Sequence, residues 1–283
     1  MNICFLRKKG SRSTCEGIID RIHRHEVQCV LNGEFNSKPK PNILIRWNDA
    51  TTKLDAPIEV NTAQMVCLMN DKVKTRQILI ENNISVPKTY FSKDEMLNNQ
   101  VNFPLIGRKT RHSQGRRMKI LRRKRDIVRD RSSTYWSEFI PKDREFRVFV
   151  FFGYILGICE KIPNDPKAIA WNNSLGNGIF ETMKRENFPL DVSLLALKAT
   201  HVLGIDFAAV DIMSKEQNNY ILELNSGPTC SEHRQFLFAR AFKWLIKQIE
   251  KSATKPNYFN LPNRVDNYKD ILHPCVLKKR NKI

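Results

Sequence analysis

Gly204-Ile205-Asp206-Phe207-Ala208-Ala209-Val210-Asp211-Ile212-Met213 and then Tyr220-Ile221-Leu222-Glu223-Leu224-Asn225-Ser226-Gly227-Pro228-Thr229 are the stretch on which the fold turns. Two runs rich in Val, Ile, Leu and Phe flank the polar segment Ser214 to Asn219, which predicts a β-hairpin of mostly buried strands. Asp211, Glu223 and Asn225 interrupt those apolar runs. A carboxylate in such a place is costly unless it is paired or bound to a cation. Glu223 and Asn225 are two apart, so on one strand they share a face. With Asp211 opposite them, three hard oxygen donors converge, a set that suits Mg²⁺. A buried ion pair with Lys or Arg meets the same requirement.

Outward from the hairpin, composition bounds the rest. A chain of 283 residues can bury a sizeable core in one to three modules. No apolar run is long enough to span a bilayer, and residues 1–9 carry no apolar signal core. Seven cysteines are dispersed without C-x-x-C spacing, which argues against a disulfide framework or a zinc site. The six histidines form no local metal-binding cluster; His23 and His25, two apart on one predicted helix, face different directions. These features predict a soluble, cytoplasmic protein with no membrane partner.

The net charge of +19 is unevenly spread. Arg108, Lys109, Arg111, Arg116, Arg117, Lys119, Arg122, Arg123, Lys124, Arg125, Arg129 and Arg131 face only Asp126 and Asp130. Such a block attracts polyanions, whether nucleotide phosphates, nucleic acid or an acidic protein. Met118-Lys119-Ile120-Leu121 reads as a short strand within it, so part of the block is expected to be folded.

Along the chain, Asn2–Leu6 is a short apolar run, Glu16 to His25 carries Ile18, Ile19 and Ile22 at helical spacing, and Ile43–Trp47 makes a second strand. This predicts a small N-terminal α/β module over residues 1–60. Asn61 to Asn83 reads as helical, and Ile84 to Tyr90 as a break entering a strand. Phe103–Arg108 is another strand, running into the polar loop Lys109 to Arg117. Backbone N–H groups and guanidinium forks in such a loop can meet phosphate oxygens, although most loops containing Gly and Arg hold none. Arg144–Phe151 alternates and then turns fully apolar, as a strand entering a core does, and returns through Ile158–Lys161. Arg147, between Phe146 and Val148, demands an anionic partner, either Glu145 or a phosphate. Residues 189–203 and Glu232 to Lys251 are predicted helices, the first with Leu194, Leu195, Leu197 and Val202 inward. After Ser252 the polar, Pro- and Asn-rich chain is expected to be a loosely ordered basic tail, residues 252–283.

The order of these features resembles the ATP-grasp superfamily, which includes D-alanine–D-alanine ligases, glutathione synthetases and ribosomal-protein glutamate ligases. Asn61-Thr62, Asp71-Lys72 and Ile84 to Thr89 look like the start of the family's ATP-binding subdomain. Phe103–Arg108 with Ser113-Gln114-Gly115 is similar to its phosphate-lid strand and loop, and Glu138-Phe139-Ile140 to the hinge that holds adenine. Asp211, Glu223 and Asn225 match its D…E-x-N metal set, and Arg147 and Lys161 fall where it keeps catalytic cations. The chain departs from the pattern in having Arg108 where Lys is usual, Arg116-Arg117 where further glycine is common, and a short, very basic connection over Arg122 to Thr134.

The resemblance implies an α/β chain of ATP-grasp type: a small N-terminal α/β module followed by two α+β subdomains, 61–134 and 135–251, that clasp ATP between them. It implies an ATP- and Mg²⁺-dependent carboxylate–amine ligase, Mn²⁺ being the alternative metal, that forms an acyl phosphate and then an amide. Lys72, Arg108, Ser113, Gln114, Gly115, Glu138, Phe139 and Ile140 would bind the nucleotide; Arg147, Lys161 and Asn173 would act on the reacting groups. The partners would be small-molecule or peptide carboxylates and amines, with an acidic protein or nucleic acid drawn to Arg108–Arg131. A nucleic-acid-binding or structural protein that keeps the fold without turnover is the competing reading.

Overall fold

The computed structural model describes residues 1–22, 27–31, 40–110, 118–165, 169, 171, 177–257 and 267–277. The chain opens with β1 (Ile3–Arg7), α1 (Arg12–Ile19), β2 (Val27–Leu31), β3 (Ile43–Trp47) and β4 (Ile58–Val60). These strands form a parallel sheet in the order β2-β1-β3-β4. The predicted module thus has two strands, β2 and β4, beyond those expected. The first helix starts four residues earlier than the Glu16 start predicted for it; His23 and His25 lie outside the described residues.

Next come α2 (Ala63–Asn70) and α3 (Lys72–Glu81), one predicted helix broken in two. Asp71 is extended, and its side chain accepts the Lys74 N–H at 3.0 Å, capping α3; Thr62 caps α2 in the same way at 3.3 Å. Then follow β5 (Thr89–Tyr90), α4 (Lys93–Asn98), β6 (Leu105–Arg108), β7 (Lys119–Leu121), α5 (Lys124–Arg129) and β8 (Tyr135–Glu138). The break expected over Ile84 to Tyr90 enters its strand at β5, after Pro87, which has no N–H to offer a ladder. These strands make an antiparallel sheet, β5-β8-β6-β7. The basic block is folded from residue 118 onward: Asp130, buried, takes hydrogen bonds from Trp136 Nε1 (3.0 Å), Lys119 (3.2 Å) and the Ser132 backbone (3.1 Å). Burial alone would raise its pKa, and those bonds with one from Ser133 hold it well below the usual carboxylate range.

The last sheet contains β9 (Arg144–Phe151), β10 (Tyr154–Pro163) and β11 (Gly178–Thr182). After α6 (Leu190–Val202) it takes β12 (Phe207–Lys215) and β13 (Asn218–Asn225), giving the antiparallel order β11-β10-β9-β12-β13. The predicted hairpin is therefore present. Its turn is tighter than Ser214 to Asn219, the strands meeting at Lys215 and Asn218 across Glu216, which adopts a φ of 54°. The chain ends with α7 (Glu232–Ser252) and the short α8 (Pro274–Leu277).

The sheet is covered on both faces. Phe146, Val148 and Val150 of β9 and Ala208, Val210 and Ile212 of β12 pack with Val192, Ala196 and Leu197 of α6. Leu194, Leu195 and Val202, predicted to point inward, are half-buried and pack against this core. On the opposite face, Phe149, Phe151, Phe207 and Ala209 meet Phe238 and Phe242 of α7, together with Phe5 and Trp47 of the N-terminal sheet. Residues 267–277 contradict the expected loose tail. His273 is wholly buried, its N–H donates to Ile155 O at 2.9 Å, and Cys275 and Val276 join the core beside α7.

Candidate functional site

The charged residues lie on the α7 face of the large sheet. Along β9 the residues 145, 147, 149 and 151 point the same way, as do 207, 209, 211 and 213 along β12. Under α7 these positions are Phe149, Phe151, Phe207 and Ala209. Beyond the first turn of α7 they are Glu145, Arg147 and Asp211, and the sheet opens into a cleft of about 1230 Å³. Ile106, Arg108 and Ser137 to Ile140 of the small sheet, and Asn48 to Thr51 and Lys8 of the N-terminal sheet's loops, line its other walls.

Strand register builds a row across this face. Cys159, Arg147, Asp211 and Glu223 are successive cross-strand partners on β10, β9, β12 and β13. Arg147 grips Asp211 through two bonds, Nε to Oδ1 at 2.6 Å and Nη2 to Oδ2 at 2.7 Å. Within the protein its carboxylate partner is thus Asp211, directly opposite on β12, and not the predicted Glu145. Burial would lower the Arg147 pKa; Asp211, helped by Glu223 and Glu145, outweighs it and raises it further. Glu223 accepts from Asn225 Nδ2 at 3.1 Å and lies 3.7 Å from Lys72 Nζ, which also donates to Leu224 O at 3.1 Å. Asp211, Glu223 and Asn225 therefore do meet, with an ion pair on Asp211 and a looser one on Glu223.

Glu145 is buried and bonds both Lys161 and Lys142. Burial would raise its pKa; Lys161 first and Lys142 next bring it below the ordinary carboxylate value. Lys142 itself is lowered, chiefly by burial, against the pull of Glu145. Its ammonium sits 4.4 Å from the Trp171 ring centroid. Phe180, paired with Lys161 across β10 and β11, has Arg147 Cζ at 4.6 Å and Lys161 Nζ at 5.2 Å from its ring centroid.

Of the predicted nucleotide residues, Lys72, Arg108, Glu138, Phe139 and Ile140 all line the cleft. Arg108 Nε is buried with no partner among the described residues. Glu138 accepts from Tyr90 OH at 3.1 Å, and its strand continues into Phe139, whose N–H donates to Pro104 O at 2.9 Å. Ile106, Ile140, Met213 and Leu222 supply apolar walls at that end. Ser113, Gln114, Gly115 and Asn173 lie outside the described residues.

The sequence reading missed Arg76, Lys142 and Arg234. Arg76 follows Lys72 by one helical turn, donates to Leu222 O at 2.9 Å and Thr89 Oγ1 at 3.3 Å, and is brought down to about 10 by burial, still cationic at neutral pH. Its spacing of four from Lys72 was the available signal. Nothing local distinguishes Lys142 or Arg234 from surface cations.

A RimK-like ATP-grasp domain model matches residues 69–249. The coenzyme γ-F420-2:α-L-glutamate ligase of Methanocaldococcus jannaschii is 25% identical over 187 residues, covering 60% of this chain and 62% of that protein. The glutamate–LysW ligase ArgX of Sulfolobus acidocaldarius is 26% identical over 201 residues, covering 64% of this chain and 67% of that protein. The matches thus span 62% and 67% of those relatives' lengths, the first less than two thirds. The crystal structure of D-alanine–D-alanine ligase from Bacillus anthracis superposes with a TM-score of 0.62 at 15% identity, over 89% of this chain and 99% of that one. With the family model extending over more than half of its residues, and the cleft lying between two antiparallel sheets, this chain belongs to the RimK-like ATP-grasp family.

Proposed function

We propose that this protein is an ATP-dependent carboxylate–amine ligase, and the observation that carries the proposal is the row Arg147–Asp211–Glu223, flanked by Lys72 and Lys161, on the wall of one large cleft. The base would lie against Ile106, Ile140, Met213 and Leu222, its edge on the Glu138-Phe139-Ile140 backbone. Lys72 and Arg108 would hold phosphates, with Ser113, Gln114 and Gly115 as the lid. Asp211 and Glu223 stand opposite each other with Asn225 beside Glu223, an oxygen donor set that fits Mg²⁺ or Mn²⁺. Such an ion would supply neutralisation of phosphate charge.

Arg147 and Lys161 would stabilise the negative charge on the γ-phosphoryl group as it passes to a substrate carboxylate oxygen and ADP leaves. Glu145 positions Lys161 for this, and Asn173 would orient the carboxylate. The amine then attacks the acyl carbon, phosphate leaves with the bonding pair, and the amine proton is released to water. No side-chain nucleophile is needed.

Two named relatives are glutamate ligases, and we infer L-glutamate as one substrate here. The other partner would be an acidic peptide or protein docked on the exposed Arg122, Arg123, Lys124 and Arg125, near the exposed Ile120 and Val128. No helix among the described residues is long and apolar enough to cross a membrane, and an ATP-using reaction of this kind belongs in the cytoplasm.

The test is ADP formation from Mg²⁺-ATP with L-glutamate and a pool of acidic peptides, with product masses recorded. We expect ADP and a glutamyl adduct that both disappear in Glu223→Ala. Equal ADP release by wild type and Glu223→Ala would sink the assignment.

A further inference from the structure

The boundary at which the sheet face changes from aromatic to charged is occupied by Arg234, in the first turn of α7. It is only 9% exposed, yet it lines the cleft. Its Cζ lies 5.6 Å from the ring centroids of both Phe149 and Phe180, so two aromatic rings hold the guanidinium in place. Around it, Arg147 has Asp211, Lys161 and Lys142 share Glu145, and Lys72 has Glu223 as carboxylate partners. Arg234 has no carboxylate partner among the described residues, and its Nε is buried without a hydrogen bond. A buried guanidinium left in that state is costly, and an anion delivered through the cleft removes the cost.

Two further features favour an anion at this place. Ser231, the N-cap residue of α7, makes no side-chain cap bond, so the positive end of a 21-residue helix is directed at the same corner. The loop before α7 is held rigidly: Cys230 N–H donates to Thr14 Oγ1 at 3.2 Å, Gln235 Nε2 to Cys230 O at 3.2 Å, and a Cβ on Gly227 would come within 2.5 Å of Asn48 Cβ. Phe180 is shared by Arg147, at 4.6 Å, and Arg234, at 5.6 Å, so the corner borders the reacting-phosphoryl cations without overlapping Asp211.

We propose that Arg234 is a specificity-determining residue that receives a carboxylate of the amino-acid substrate, one not consumed in the reaction, so that the enzyme selects an acidic amino acid over its neutral analogue. This rests on the ligase reading above. A guanidinium fork meets a carboxylate through two parallel bonds, which a Lys ammonium cannot reproduce.

Binding is measured by calorimetry without turnover, in the presence of Mg²⁺-ADP, for wild type, Arg234→Gln and Arg234→Lys. The probes are L-glutamate, L-glutamine, γ-aminobutyrate and inorganic phosphate, and a melting curve verifies that each variant is folded. We expect Arg234→Gln to weaken L-glutamate by about tenfold or more, with Arg234→Lys in between. We also expect Arg234→Gln to erase the preference for glutamate over whichever analogue lacks the docking carboxylate, while Mg²⁺-ADP affinity is kept. An undiminished preference in folded Arg234→Gln or Arg234→Lys would overturn the proposal. So would a loss confined to phosphate, or wild type that binds Mg²⁺-ADP but no L-glutamate. Wild type that binds no Mg²⁺-ADP would overturn the ligase reading, and this proposal with it.

Discussion

Single residues on the cleft wall are held by charge pairing, and Glu145 is the clearest case. It is 3% exposed and is bonded by both Lys161 and Lys142, so removing its charge leaves two buried ammonium groups without a counter-ion. Breaking a buried ion pair from one side costs about 3–5 kcal/mol. Glu145→Gln should therefore lower the unfolding free energy by about that amount in urea titration. The folded-state pKa of Glu145 lies below its unfolded value. Its contribution is accordingly complete above the unfolded value of about 4.3 and is lost as pH falls through the folded one. Glu145→Gln should remove that part of the acid-side loss; an acid-side slope identical to wild type would contradict the assignment. Arg147 teaches the same lesson. Its need for an anion was legible in Phe146-Arg147-Val148, but the choice of Asp211 over Glu145 was made by strand register.

At the scale of elements, the segment 267–277 changes the picture most. Leu272 bridges to Ile155 on β10, and the buried His273 ring packs edge-on against Trp244 at 4.7 Å and against Phe151 and Tyr154 at 5.5 Å each. His273 Nδ1 accepts the Cys275 N–H at 3.2 Å, so the ring is neutral, with its proton on Nε2. Burial, with a smaller push from Arg240, brings it down to about 3. The unfolded chain takes up that proton near pH 6.5, so stability is complete above about 6.5 and falls as pH drops toward the folded value, by up to about 1.4 kcal/mol per pH unit. Denaturation at a series of pH values should show His273→Phe flattening this slope between about pH 6 and 4, where Glu145 contributes little. A slope unchanged by the substitution would show that docking of this segment does not depend on a neutral imidazole. The polar composition after Ser252 concealed the contact, because among the described residues there only Ile271, Leu272, His273, Cys275 and Val276 are buried.

For the whole molecule, part of the excess of cations stands on a folded surface. Asp130 is committed to Lys119 and Trp136, and Asp126 to the Arg122 N–H at 2.8 Å and to Arg123 at 3.9 Å, so the neighbouring Lys124, Arg125, Arg129 and Arg131 are little offset by acids. Replacing Arg122, Arg123 and Arg125 with Glu should raise KM for an acidic peptide acceptor about tenfold or more at low ionic strength and leave KM for ATP nearly unchanged. Added salt should shrink the difference. An acceptor KM that is unaffected at low salt would dismiss this surface as a docking site.

By itself the sequence determined the hairpin with Asp211, Glu223 and Asn225, the apolar strand Arg144–Phe151 and its return, the helix Glu232 to Lys251, and the family to which they belong. Each of these is written in local periodicity or in residues only a few positions apart, because burial imposes a two- or 3.6-residue repeat on the chain. Tertiary structure alone decided which charges meet. Lys142, Lys161 and Glu145 come together across two strands, Arg147 chose Asp211, and Arg234 was left facing the cleft at the point where α7 stops covering the sheet. Partner choice depends on the register of strands far apart in sequence and on which element covers which face, and no local pattern carries that information.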